Sequence, residues 1–202
     1  MADTRIREIR DGEESALANS ISRAFFDDPM MIFIMPDANK RIKQSEWMFN
    51  KLLAYTRHYG HVYTDENQTA VSIWLPPGNT TMSQIGMLRA GLWQMPFQVG
   101  LRGFMRFGRL DGAASKAHKK AVQGDHWYLL GLGVDPDAQK TGLGTEAIEI
   151  GAAQAQAAGL PVYLETMTQS NVDYYTKRGF EVAEEVVIDD ELRIWAMIKE
   201  PS

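Results

Sequence analysis

Gln139-Lys140-Thr141-Gly142-Leu143-Gly144-Thr145 decides how this chain is read. It follows a hydrophobic run, Trp127 to Val134, that reads as a strand, and precedes an alanine-rich stretch, Glu146 to Ala158, that reads as a helix. Two glycines let a ligand approach the backbone closely where a helix begins. The first N–H groups of a helix have no internal acceptor and carry the positive end of its dipole, so such a start is suited to a diphosphate. Glycine-rich turns are common, however, and the loop gains its meaning from what surrounds it.

Downstream, Gly159-Leu160-Pro161 stops the helix, since a glycine past the last turn with a proline soon after cannot continue it. Pro161 to Met167 reads as a strand, Val172 to Arg178 as a short helix, and Phe180 to Ile188 and Leu192 to Ile198 as two more strands. Upstream, Thr4 to Arg10 alternates as a short strand. Glu13 to Phe26 places Leu17, Ile21 and Phe25 on one helical face, and Asp28-Pro29 stops it. Arg41 to Tyr59 predicts a second helix ended by Gly60, followed by a strand pair, His61 to Tyr63 and Thr69 to Leu75, around Asp65-Glu66-Asn67. Residues 80–122 are rich in Met and aromatics and are interrupted by Pro96, Gly100 and Gly103, which predicts two or three short helices. The sequence therefore predicts one mixed α/β domain with a helical insertion at about 80–120.

Composition narrows the chemistry. The 202 residues suffice for one domain with a proper core. With 21 basic and 26 acidic residues the chain is mildly acidic, which predicts no general attraction to nucleic acid. There is no cysteine, so disulfide scaffolds, thiolate nucleophiles and cysteine-ligated metals are excluded. The four histidines, at 58, 61, 118 and 126, show no ligand spacing, and no metal is expected. The N-terminal residues lack the apolar core of a secretory signal, and no uncharged apolar run reaches 18 residues, which predicts a cytoplasmic protein without membrane association.

The pieces that carry chemistry occur in a fixed order: Leu132-Gly133-Val134-Asp135-Pro136, the 139–145 loop, Leu164-Glu165-Thr166, and Asn171 followed by Tyr175 four residues before Gly179-Phe180. In that order and spacing the chain resembles the GNAT superfamily of N-acyltransferases, in detail over about 126–202 and in the order of elements before that. The resemblance implies a central, mostly antiparallel sheet with one splayed parallel strand pair, formed by 127–134 and 161–167, flanked by helices. It implies acetyl-coenzyme A as co-substrate. Backbone amides of Gln139, Lys140, Thr141, Gly142, Leu143, Gly144 and Thr145 would cradle its diphosphate. Leu132, Gly133 and Val134 would pair with its pantetheine arm as an added strand, with an N–H, that of Val134, on the thioester carbonyl. Asn171 would contact the pantetheine, and Tyr175 would protonate the departing thiolate, as a phenol near pKa 10 can at neutral pH. A base must free the amine of its proton; Glu165 is the candidate by resemblance, with His126, Asp125 or water as alternatives.

Simpler readings stand beside these. Asn171 is also a good N-cap, Tyr175 is also a plausible core aromatic, and Glu165 at a strand end is also a plausible solvated acid. Gly142-x-Gly144-x-x-Ala147 fits a dinucleotide fingerprint too, but seven residues including Pro136 separate it from the strand that should feed it directly. A coenzyme A sensor without turnover is a further alternative. The Met and aromatic residues of the insertion favour a small-molecule amine as acceptor, and a homodimer is left open.

Overall fold

The structure, a computed structural model, describes residues 4–201. Its elements in chain order are β1 (Ile6–Glu8), α1 (Glu14–Ala24), α2 (Pro29–Ile34), α3 (Ala38–Tyr59), β2 (His61–Asp65), β3 (Ala70–Leu75), α4 (Gln84–Ala90), α5 (Met95–Ala121), β4 (Trp127–Val134), α6 (Leu143–Ala157), β5 (Val162–Thr166), α7 (Gln169–Thr176), β6 (Glu181–Ile188) and β7 (Leu192–Lys199). Single 3₁₀ turns at Leu92–Gln94 and Pro136–Ala138 complete the set. The strands form one seven-stranded sheet in the order β1-β2-β3-β4-β5-β7-β6. Every neighbouring pair is antiparallel except β4 and β5. This is the mostly antiparallel sheet with one parallel pair that the resemblance implies.

The sheet is covered on both faces. Residues from α1, α2, α3 and α5 bury Leu17, Ile21, Met31, Phe49 and Leu53 against Val71, Ile73 and Ile194. On the other face α6 and α7 bury Ala147, Ile148, Val172 and Tyr175 against Trp74, Leu129, Leu164 and Met197. The approach of α6 is set by Gly151, where an added Cβ would lie 2.2 Å from the indole of the fully buried Trp74. A Gly151→Ala substitution would therefore overpack the core, with an expected loss of about 2 kcal/mol despite alanine's better helix propensity. Denaturant unfolding measures it; an unchanged midpoint would show that α6 shifts outward at no cost.

Local differences from the sequence reading have identifiable causes. Pro29 does more than stop α1. It occupies the first turn of α2, where its missing N–H costs nothing, and the Asp28 carboxylate accepts from Met30 N (2.9 Å) as the N-cap. In the insertion, Gly100 takes φ 76° and breaks the helix, whereas Pro96 sits in its first turn and Gly103 lies inside it. Gly103 is tolerated there because α5 crosses α2 closely: an added Cβ would lie 2.8 Å from the Ile34 carbonyl oxygen. Thr168, and not Asn171, caps α7, its hydroxyl accepting from Asn171 N (3.3 Å). That places the Asn171 side chain within the first turn, free of a capping duty.

Candidate active site

Strand β4 makes the site by parting from β5. The two pair only through Trp127, Tyr128 and Leu129, opposite Val162, Tyr163 and Leu164. Beyond that β4 continues to Val134 along β3, with a register irregularity where Leu130 has no partner between Leu129 and Gly131. Asp135 N donates to Thr69 O (2.7 Å) on the β3 side. Since N–H direction alternates along a strand, the amides of Leu132 and Val134 face away from β3 into the gap. Gln139 Nε2 reaches back to donate to the Val134 carbonyl (3.3 Å) from the same side. An open strand edge of this kind is a template for an extended ligand.

The loop that follows is held firmly. Asp135 accepts from Asp137 N (3.0 Å), and Arg23 of α1 pairs with both Asp135 (2.9 Å) and Asp137 (2.8 Å). Gly142, at φ 90°, turns the chain into α6 and serves as its N-cap without any side-chain cap. Thr145 N and Glu146 N donate back to the Gly142 carbonyl, whereas no described residue accepts from Leu143 N or Gly144 N. These amides open onto the cleft with the positive end of the helix behind them. Glu146 would oppose an anion there, but Arg5 binds its carboxylate (3.0 and 2.5 Å) and also donates to the Thr141 carbonyl (3.0 Å).

The result is a cleft of about 520 Å³ running from the split of β4 to the start of α6. Its lining contains every residue that the sequence assigned to coenzyme A: Leu132, Gly133, Val134, Gln139 to Thr145, Asn171 and Tyr175. It also contains residues the sequence gave no reason to select: Ala24, Phe25 and Asp28 from the α1–α2 corner, with Tyr174 and Arg178. Arg178 donates to Thr145 Oγ1 (2.6 Å) and stacks 3.4 Å above the Tyr174 ring. Its Nε is buried without a hydrogen-bond partner. The cleft thus offers backbone amides, Lys140 and the Arg178 guanidinium to a phosphorylated ligand with an extended arm, and these fit coenzyme A.

Tyr175 is buried against Phe180 and raised above the ordinary phenol range, chiefly by burial. Glu165 lies outside this cleft lining. It sits on the opposite face of the split, where its two oxygens accept from Tyr128 Oη (2.5 Å) and Tyr163 Oη (2.9 Å). Burial pushes the Glu165 carboxyl up, and the two phenols oppose that only partly. His118 stacks on Tyr163 at 3.9 Å and meets His126 through their Nε2 atoms (2.7 Å), while His126 Nδ1 contacts the Gly124 carbonyl (2.8 Å). Both ring nitrogens of His126 are therefore engaged, and Asp125 is exposed beside it. Among the described residues no group of three or more His, Cys, Asp or Glu is arranged to hold a metal. No described helix is long and apolar enough to cross a membrane.

Asp28 is the cleft's own carboxyl, and burial raises it to about 6. Because its folded pKa exceeds the usual value near 3.9, the folded state holds this proton more tightly than the unfolded chain. Stability then falls as pH rises from about 4 through 6. Asp28→Asn preserves the cap and removes the titration, so the melting temperature of the variant relative to wild type should climb over that interval. Parallel melting curves for the two proteins would contradict the burial of this charge.

Comparison with known proteins agrees with this geometry. The sequence model of the acetyltransferase (GNAT) family matches residues 62–180, which include the split strand, the glycine loop and Tyr175. An uncharacterized N-acetyltransferase of Schizosaccharomyces pombe is 28% identical over 218 aligned positions, covering 100% of this chain and 84% of that protein. Among solved structures, a histone acetyltransferase HPA2 and related acetyltransferase from Corynebacterium glutamicum superposes with TM-score 0.70 at 17% identity, over 98% of this chain and 97% of the other. Arylalkylamine N-acetyltransferase 2 of Aedes aegypti gives 0.65 at 15%, over 99% and 100%. The polyamine N-acetyltransferase of Drosophila melanogaster gives 0.62 at 13%, over 98% and 100%. With the split sheet, the amide-lined helix start and the family match in agreement, the chain belongs to the acetyltransferase (GNAT) family and is an acetyl-transferring enzyme.

Proposed function

We propose that this enzyme moves an acetyl group from acetyl-coenzyme A to the primary amine of a small molecule by direct attack. The observation that carries the reading is the single cleft joining free strand amides, an uncapped helix start and a buried tyrosine. The amides of Leu143 and Gly144, with Lys140, receive the diphosphate, and the open edge of β4 pairs with the pantetheine arm. Leu132 and Val134 both direct N–H groups into the gap, and one of them holds the thioester carbonyl as negative charge grows on its oxygen. Asn171 contacts the arm. Tyr175 gives its proton to the departing sulfur. A small-molecule amine is supported by the polyamine and arylalkylamine enzymes that share the fold.

Glu165 is the base in this scheme, taking the amine's proton from the acceptor side. Its raised pKa suits it to that task, since a carboxylate of ordinary acidity would be a weaker acceptor. Glu165 must be ionised to act, so kcat/KM should rise with pH along an acid limb lying above the usual carboxylate range. Glu165→Gln should lower kcat by about 10²-fold and abolish that limb; a variant retaining both would remove Glu165 from catalysis. The reading as a whole is tested by monitoring thiol release from acetyl-coenzyme A across polyamines, arylalkylamines and amino sugars. Amine-dependent release supports it, whereas release with none of these and with a peptide N-terminus instead would move the acceptor to proteins.

A further inference from the structure

The helical insertion carries a second surface, outside the lining of the cleft. In the stretch of α5 after Gly100, Gly103, Leu110 and Ala117 recur every seven positions and are buried. This seam packs α5 against α2, β6 and β7. Half a turn away, Leu101, Phe104 and Met105 face outward, and Leu101 is 68% exposed. Phe97 before the break is 80% exposed, Trp93 in the preceding turn is 57% exposed, and Leu88 of α4 is exposed as well. Soluble domains seldom leave so many large apolar side chains uncovered on one contiguous segment, and such a face marks an interaction surface.

Charge identifies the partner. Residues 85–120 hold seven of the chain's 21 basic residues and one of its 26 acidic residues, so positive charge is gathered here in a chain of net charge −5. Arg106, Arg109 and Lys120 are spent on Glu191, Asp189 and Glu184. Among the described residues Arg89, Arg102, Lys116 and Lys119 make no ion pair and are exposed. Arg102 flanks the apolar stripe about a quarter-turn round the helix, and Lys116 and Lys119 prolong the stripe towards its C-terminal end. Aromatic and aliphatic residues on one side, edged by free cations, are the composition of a helix that lies in a lipid interface. A second copy of this chain fits less well, because a twofold contact through this face would bring two unpaired positive edges together with no acidic residue between Arg89 and Arg102 to offset them.

We propose that the α4–α5 face docks on an anionic lipid surface, with Trp93, Phe97, Leu101, Phe104 and Met105 entering the headgroup region and the free cations pairing with lipid phosphates. This departs from the expectation, drawn from sequence, of no membrane association; it requires no spanning helix. The test is sedimentation of the full chain with vesicles of phosphatidylcholine alone or with about 30 mol% phosphatidylglycerol. The protein should pellet with the anionic vesicles, remain in solution with the neutral ones, and be released at about 0.5 M salt. Arg89→Glu/Arg102→Glu and, separately, Phe97→Ser/Leu101→Ser should each reduce partitioning more than about tenfold, with melting temperatures unchanged because all four side chains are exposed. Failure to pellet with either vesicle overturns the proposal in favour of a protein partner. Equal binding to both vesicles overturns the role of charge, and a concentration-dependent dimer abolished by the serine variant would assign the face to a second copy.

Discussion

Tyr175→Phe should lower kcat by about 10²- to 10⁴-fold, the range typical of losing a positioned general acid, while acetyl-coenzyme A affinity stays within about threefold. The phenylalanine keeps the ring that packs on Phe180 and Tyr174, so the fold should not change. Only the hydroxyl is lost, and with it the proton for the sulfur. Burial holds the phenol above its ordinary pKa, so it stays protonated throughout the neutral range and adds no pH limb of its own there. Single-turnover kinetics alongside equilibrium titration separates the two effects. Equal turnover in the variant would make Tyr175 a core aromatic and leave the thiolate to depart unaided.

The second large effect is expected at the helix start. Gly144→Glu introduces a carboxylate in the first turn of α6, a position where negative charge favours the helix. The added Cβ meets the flexible end of Tyr174 (3.2 Å from Oη) and the Val134 side chain (3.3 Å), a tight but adjustable fit. Folding should therefore survive. The new carboxylate, however, competes for the same amides and the same field as the ligand diphosphate. Affinity for acetyl-coenzyme A should drop by about 10²-fold or more, equivalent to roughly 3 kcal/mol, with the melting temperature nearly unchanged. Calorimetry and thermal unfolding on the same preparation decide it. Undiminished affinity would mean that the diphosphate does not rest on these amides.

Much of the fold was legible because its signals are local. The 139–145 loop announces a helix start through Gly142, the break between α6 and β5 follows from Gly159 and Pro161, and the strand alternation after Phe180 gives the β6–β7 hairpin. The β4–α6 wall of the cleft was legible for the same reason: its residues are contiguous on β4, the loop and α6. What escaped depends on elements far apart in sequence. Asp28 looks like a helix stop and becomes a buried carboxyl in the cleft only because α1 and α2 meet beside α7. The Tyr128–Glu165–Tyr163 triad needs the parallel register of β4 and β5, which no short pattern encodes. His118 and His126 likewise meet only after α5 folds back over the sheet. Gly103 reads as a breaker and lies inside a helix, since the close crossing of α2 outweighs its weak propensity. The insertion's Met and aromatic residues divide between core and surface, a division that periodicity interrupted at Gly100 could not assign.

The central claim is that the cleft between β4 and α6 is a coenzyme A site. Calorimetric titration of the purified protein with acetyl-coenzyme A, and separately with NADH, tests it most directly. Binding of acetyl-coenzyme A at micromolar strength with no heat from NADH is the predicted result. Binding of NADH alone, or of neither compound, would contradict it and return residues 139–145 to an ordinary helix entry.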